Sequence, residues 1–153
     1  MDKKICYVCS SGGHFDEMTH VRQKLAEIDS FVITESTDAD ALGVMDTYFV
    51  STLSRKDFFW VFKLIGLFFR GLSILRKEEP SIIVSFGAMV TFPFCLAGKI
   101  LGIKVVFVES IARVYSLSLT GRLVYPFADL FVVQWENLLK DYPKAVYGGW
   151  VYG

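Results

Sequence analysis

The stretch Ile5-Cys6-Tyr7-Val8-Cys9-Ser10-Ser11-Gly12-Gly13-His14 runs from five apolar residues through two glycines into a helix-compatible segment. An apolar run without polar alternation is the mark of a strand covered on both faces, as strands in a parallel sheet are. The glycines supply the tight turn, and 14–28 reads as a moderately amphipathic helix. Similar runs recur at 31–34, 48–50, 82–85, 105–108 and 130–133. Helix-compatible stretches at 57–77 and 89–101 lie between them, the second ended by Gly102. Strands alternating with helices predict an α/β fold, a Rossmann-like doubly wound parallel sheet. At 153 residues the chain has the size of one domain, taken as 1–153.

Basic and acidic residues balance at 16 each, which gives no field for nucleic acid or an acidic polymer. Hydrophobic residues make up 53% and aromatic residues 16%, with 14 Phe, more apolar surface than a small domain normally hides. Part of it is expected to meet lipid or a partner. Met1-Asp2-Lys3-Lys4 leads straight into the first strand, which predicts neither a secretory leader nor an N-terminal anchor helix. Cys6 and Cys9 point to opposite faces of that strand and read as reduced core residues in a cytoplasmic setting.

Asp57 to Lys77 breaks the pattern. As a helix it gathers Lys63, Gly66, Arg70, Ser73 and Lys77 on one narrow stripe, and nearly everything else is Phe, Trp, Leu, Ile or Val. Residues 58–75 would extend roughly 27 Å, close to a bilayer's hydrocarbon thickness of about 30 Å. Lys63 and Arg70 argue against a span, at roughly 2.5–3.5 kcal/mol each near mid-bilayer. A crossing would also put three strands on each side of the membrane. The expectation is a helix at about 57–77 that packs on the sheet along one side and lies in the lipid interface along another. Phe58, Trp60, Phe62, Phe68 and Phe69 would contact the membrane, and the cations would snorkel outward.

Three turns should converge at the carboxyl edge of such a sheet. Ser11-Gly12-Gly13-His14 offers free backbone N–H groups at a helix start, suited to a phosphate or diphosphate, although a plain βα turn needs glycine too. The spacing is not GxGxxG, but Glu35 stands where a dinucleotide-binding protein places its ribose-binding acid. His14 at the turn's mouth is a candidate general base or phosphate contact. Ser85-Phe86-Gly87-Ala88 is the second turn, and Glu109, with Arg113 close enough to pair with it, heads the third. No metal-ligand spacing and no nucleophile elbow is present, so no metal site is expected. The aromatic segment at 148–153, with Trp150, Val151 and Tyr152, reads as a tail that docks on a partner.

Ser11-Gly12-Gly13-His14 with Glu17-Met18, Ser85-Phe86-Gly87, Val108-Glu109-Ser110-Ile111-Ala112-Arg113-Val114, the run Ser116 to Leu123, Phe131-Val132-Val133-Gln134-Trp135 and Tyr147-Gly148-Gly149 together resemble two related groups. One is the membrane-anchor subunit of the two-component UDP-GlcNAc transferase of dolichol-linked oligosaccharide synthesis. The other is the accessory subunit of bacterial β-1,4-glycosyltransferases in capsule and exopolysaccharide assembly. The resemblance implies the N-terminal, acceptor-side half of a GT-B glycosyltransferase at the cytoplasmic face of the cell membrane, peripheral or monotopic. A sugar-nucleotide-binding partner subunit would hold most of the UDP-sugar donor, no cofactor would be bound tightly, and a hexose would pass to a polyprenyl-diphosphate-linked acceptor. Ser11, Gly12, Gly13, Gly87 and Arg113 would then contact acceptor or phosphate. His14 would be base or phosphate contact, and Glu109 would orient an acceptor hydroxyl. Ala88 departs from the glycine of the single-chain relative that builds the peptidoglycan lipid intermediate. A non-catalytic scaffold that recruits a complete transferase, and a small dinucleotide-dependent oxidoreductase, are the competing readings.

Overall fold

The computed structural model describes residues 3–35 and 46–153, so Met1 and Asp2 of the chain start read above lie outside the described residues. Seven strands, β1 (Ile5–Cys9), β2 (Ser30–Thr34), β3 (Thr47–Phe49), β4 (Ile82–Ser85), β5 (Lys104–Val108), β6 (Leu130–Val133) and β7 (Val146–Tyr147), form one sheet. Their order is β3-β2-β1-β4-β5-β6-β7, and every neighbouring pair is parallel. The doubly wound α/β expectation holds.

Period-two geometry explains the two cores. Cys6 and Val8 face one way, onto Phe31, Ile33, Leu75 and Phe94. Ile5, Tyr7 and Cys9 face the other, onto Phe15 and Met18 of α1 (Gly13–Lys24). The cysteines are free and buried as expected, and burial pushes the thiols of Cys9 and Cys95 up to about 12 and that of Cys6 well up. Such thiols are unreactive. The helix α1 stops at Lys24, short of residue 28, where Leu25 and Ile28 close successive turns.

The long apolar segment forms α2 (Trp60–Glu78). It starts later than residue 57 because Asp57 accepts the Phe59 and Trp60 amides in a preceding turn. Gly71 lets α2 meet α3 (Phe92–Ile100), since a β-carbon there would stand 2.9 Å from the Phe94 ring. The polar stripe does not snorkel. Arg70 donates to the Phe49 carbonyl at 2.7 Å, the Lys77 ammonium sits 5.7 Å over the Tyr48 ring, and Lys63 pairs with Asp57. Arg70 and Lys77 thus bind the β3 edge. Because β1 pairs with strands from both sides of α2 in the sequence, a crossing at this helix is impossible without tearing the sheet. Among the described residues, no helix is long and apolar enough to cross a membrane.

The segment expected to be helical from residue 89 opens as a 3₁₀ turn, Met89–Thr91, before Pro93 starts α3. Among the described residues, three short elements have no counterpart in the sequence reading: β7, a 3₁₀ helix at Glu136–Lys140, and α4 (Leu119–Val124), the last capped by Ser118, whose Oγ accepts the Gly121 amide at 2.9 Å.

Candidate functional site

The chain runs β1, β2, β3 outward, then returns to lay β4 on the other side of β1. Turns leaving β1 and β4 therefore diverge, and the gap at the carboxyl edge of that switch point is where parallel α/β sheets take ligands. Gly12 holds φ 71° and ψ −138°, open to glycine alone, and its carbonyl accepts the Phe15 and Asp16 amides at 2.9 and 3.1 Å. The Gly13 and His14 amides thus open the helix without intrahelical partners. Ser11, Gly12 and Gly13 are exposed.

The turn after β4 takes Gly87 to φ 98° and Ala88 to φ 65°, ψ 151°. The His14 ring lies flush on Gly87, where a β-carbon would come within 3.1 Å of Cε1. Ala88 occupies a region essentially reserved for glycine, a strain of about 1–3 kcal/mol.

Beside these turns lies a cavity of about 410 Å³ whose wall includes His14, Arg55, Ala88, Glu109, Arg113 and Thr120. The convergence of His14, Glu109 and Arg113 is thereby realised. Ser11, Gly12, Gly13 and Gly87 are not part of the wall, although Gly87 lies directly against the His14 ring that is. The expected Glu109–Arg113 pair does not form: the Arg113 side chain is exposed, and neither its guanidinium nor that of Arg55 has a hydrogen-bond or ion-pair partner among the described residues.

Glu109 is buried and turned toward its own loop. Its Oε1 accepts the Ser110 amide at 3.1 Å, and its Oε2 accepts the Ser118 amide at 2.9 Å and the Ser118 hydroxyl at 3.0 Å. Oε2 is saturated, so only Oε1 keeps a lone pair for a ligand. Glu17 grips the same loop from α1. Its Oε1 accepts the Ile111 amide at 3.1 Å and the Ser110 hydroxyl at 3.3 Å, while its buried Oε2 has no partner. Burial raises the Glu17 pKa above the ordinary 4.5, against the pull of those donors. His14 moves the other way. Burial lowers its pKa from 6.5, partly offset by the Phe86 backbone and Glu109 and helped by the Arg113 charge, which favours the neutral imidazole.

The tail folds back on its own domain. The Val151 amide donates to Gln134 Oε1 at 2.9 Å, and Gln134 Nε2 donates to the Glu109 carbonyl at 3.0 Å. Val151 packs half-buried against the core beside α1. Trp150 rests on Trp135 and Tyr152 on His20, each about half exposed.

The lipid-facing candidates divide. Phe58, Phe62 and Phe69 are 89%, 69% and 62% exposed, whereas Trp60 and Phe68 are half-buried. Phe59, Val61 and Ile65 extend the exposed face. Glu35 accepts the Leu53 amide at 3.3 Å, tying down the following loop. Among the described residues, no group of His, Cys, Asp and Glu is placed to hold a metal ion.

Arg55, Glu17 as a buried group, and Gln134 escaped the sequence reading. A cationic pair, Arg55-Lys56, placed shortly after the third strand was the available signal for the first.

The fold resembles MurG of Acinetobacter baumannii with a TM-score of 0.75 at 18% identity, covering 88% of this chain and 42% of that one. A UDP-N-acetylglucosamine 2-epimerase from Rickettsia bellii gives 0.76 at 12% identity, covering 99% of this chain and 46% of that one. The chain thus spans less than half the length of the solved structures it matches. In sequence it is 27% identical to the human UDP-N-acetylglucosamine transferase subunit ALG14, over 95% of this chain and 81% of that protein. The family model described as "Oligosaccharide biosynthesis protein Alg14 like" matches residues 58–151, which include the aromatic helix, the Glu109 loop and most of the folded-back tail. The chain belongs to the Alg14-like family of oligosaccharide biosynthesis proteins.

Proposed function

We propose that this chain is the acceptor-side subunit of a two-part glycosyltransferase, attached peripherally to the cytoplasmic membrane face. The carrying observation is the cavity at the sheet's switch point, lined by the His14 imidazole, whose pKa burial lowers, and by the Arg55 and Arg113 side chains, neither of which has a partner among the described residues. Two guanidiniums suit the diphosphate of a polyprenyl-diphosphate-linked sugar. A lowered pKa suits a general base better than a charged phosphate contact. In the step proposed, His14 accepts the proton of the acceptor hydroxyl. That oxygen bonds the anomeric carbon of the donor, the bond to the UDP oxygen breaks, and UDP leaves with the electron pair and inversion at carbon. Glu109 fixes the loop carrying Arg113, and its free Oε1 lone pair is available to the acceptor.

The donor is a UDP-sugar held mainly by a sugar-nucleotide-binding partner subunit, with no cofactor bound tightly to this chain. The name of the human relative favours N-acetylglucosamine over an unspecified hexose and lends nothing to a capsule or exopolysaccharide setting. Membrane attachment through Phe58, Phe62 and Phe69, and partner docking on Trp150 and Tyr152, complete the proposal. The test combines labelled UDP-N-acetylglucosamine and a polyprenyl-diphosphate acceptor with this chain alone, the partner alone, and both. Transfer with the pair only is expected. Full transfer by the partner alone would favour the scaffold reading, which draws on the saturated Glu109 Oε2.

A further inference from the structure

We propose that the groove between the N-terminal parts of α2 and α3 binds the first units of a prenyl chain, so that this chain holds its lipid ligand by the hydrocarbon as well as by the diphosphate. The inference rests on the acceptor reading above and names a second subsite for it. Leu64, Ile65 and Phe68 of α2 and Phe92, Pro93 and Leu96 of α3 enclose about 270 Å³ without one polar side chain. The groove exists because the helices touch at Gly71 and Phe94 and leave space between the side chains of the turns before that contact. A hydrogen-bonding ligand would lose its water there and gain no partner, whereas hydrocarbon gains burial without that loss.

Position selects the kind of hydrocarbon. Both helices begin at the carboxyl edge of the sheet, so the groove opens on the same edge as the polar cavity. One segment links the two: Ala88 and Met89 line the cavity, and Phe92 and Pro93, after a single 3₁₀ turn, line the groove. The groove shares Ile65 with the exposed face that also carries Phe62 and Phe69. Cationic cavity, hydrocarbon groove and exposed aromatic face follow one another in the order of diphosphate, proximal chain and distal chain of a polyprenyl diphosphate. A partner helix would need a row of such pockets for its successive anchor residues, and the groove offers the volume of one.

Binding of inorganic diphosphate, geranyl diphosphate and geranylgeranyl diphosphate to the full chain, without vesicles, tests the proposal. Affinity is expected to rise at least about tenfold from inorganic diphosphate to the prenyl compounds. Leu96→Trp, which fills the groove, and Leu64→Trp, which fills it from the other helix, should each remove that gain and leave inorganic diphosphate binding intact. Equal affinity for all three probes would overturn the proposal. So would loss of partner co-purification or of vesicle binding in both variants with prenyl affinity unchanged, which would assign the groove to a partner or to the bilayer. The transfer assay separates the two levels. Prenyl-dependent binding without transfer by the reconstituted pair leaves the groove and removes the glycosyltransferase reading, whereas transfer indifferent to acceptor chain length does the reverse.

Discussion

A β-carbon on Gly121 would stand 2.2 Å from Glu109 Oε2, so α4 can bring its first turn onto the buried carboxylate only because residue 121 has no side chain. Gly121→Ala should push Glu109 off the Ser118 amide and hydroxyl and destabilise the chain by about 1–3 kcal/mol, read from urea unfolding. Glu109→Gln should cost a similar amount, because its oxygen can face Ser118 or Ser110 but its amide then points a donor at the other. Unchanged unfolding midpoints in both variants would remove the structural part assigned to Glu109.

His14→Ala should lower acceptor-dependent turnover of the reconstituted pair by roughly 10²–10⁴ while partner co-purification stays normal. Burial lowers the His14 pKa from 6.5, so the acidic fall in kcat/KM of the unaltered pair should lie at lower pH than an unperturbed imidazole would give. A fall beginning well above pH 6.5, or near-normal turnover in the variant, would count against His14 as the base.

Glu17 carries a raised pKa, so the folded chain keeps a proton there at pH values where the unfolded chain has lost it. Its contribution is complete below about pH 4.5 and is lost as pH rises through the folded value. Relative to Glu17→Gln, the unaltered chain should therefore lose stability from pH 4.5 upward and then level off. Parallel stability curves for the two proteins would contradict this.

Exposure separates the aromatic side chains of α2. Phe62→Ser and Phe69→Ser should weaken binding to anionic vesicles with stability changed by less than about 0.5 kcal/mol. Phe68→Ser should instead destabilise by about 2 kcal/mol, because the ring is packed against the core. Equal losses of stability in all three would mean that the exposed face is a core surface.

Ala88→Gly should relieve the strain of its backbone angles, worth about 1–3 kcal/mol, against a glycine entropy cost of roughly 0.5–1 kcal/mol. A raised thermal midpoint is expected, by calorimetry.

Six strands were legible as apolar runs, the pattern that burial on both faces imposes most fully on β1 and β2. Val146–Tyr147 and Leu119–Val124 were not, since two residues carry no period and six residues interrupted by Gly121 barely carry one. At the site, glycine turns and strand-end groups could be placed by topology alone, which brought His14, Glu109 and Arg113 to one edge. Which partner each group takes is set by rotamer and loop path. Glu109 therefore turned to Ser118 and not to Arg113, and Val151 turned inward while Trp150 and Tyr152 stayed out. Arg55 was hidden because its place depends on how the loop after β3 folds over the edge.

The pairing of Ile5 with Ile82 has a consequence for the order of events during synthesis. All of α2 lies between these two partners, so its aromatic side chains leave the ribosome before β4 exists to hold the sheet's other half. At about 5–20 residues per second the helix spends on the order of seconds without Ile83 of β4 and Phe94 and Ala97 of α3, the later part of the surface on which it will rest. The nascent chain in that interval presents its most aromatic segment only partly covered, and a membrane or chaperone close to the exit tunnel would be that segment's earliest companion.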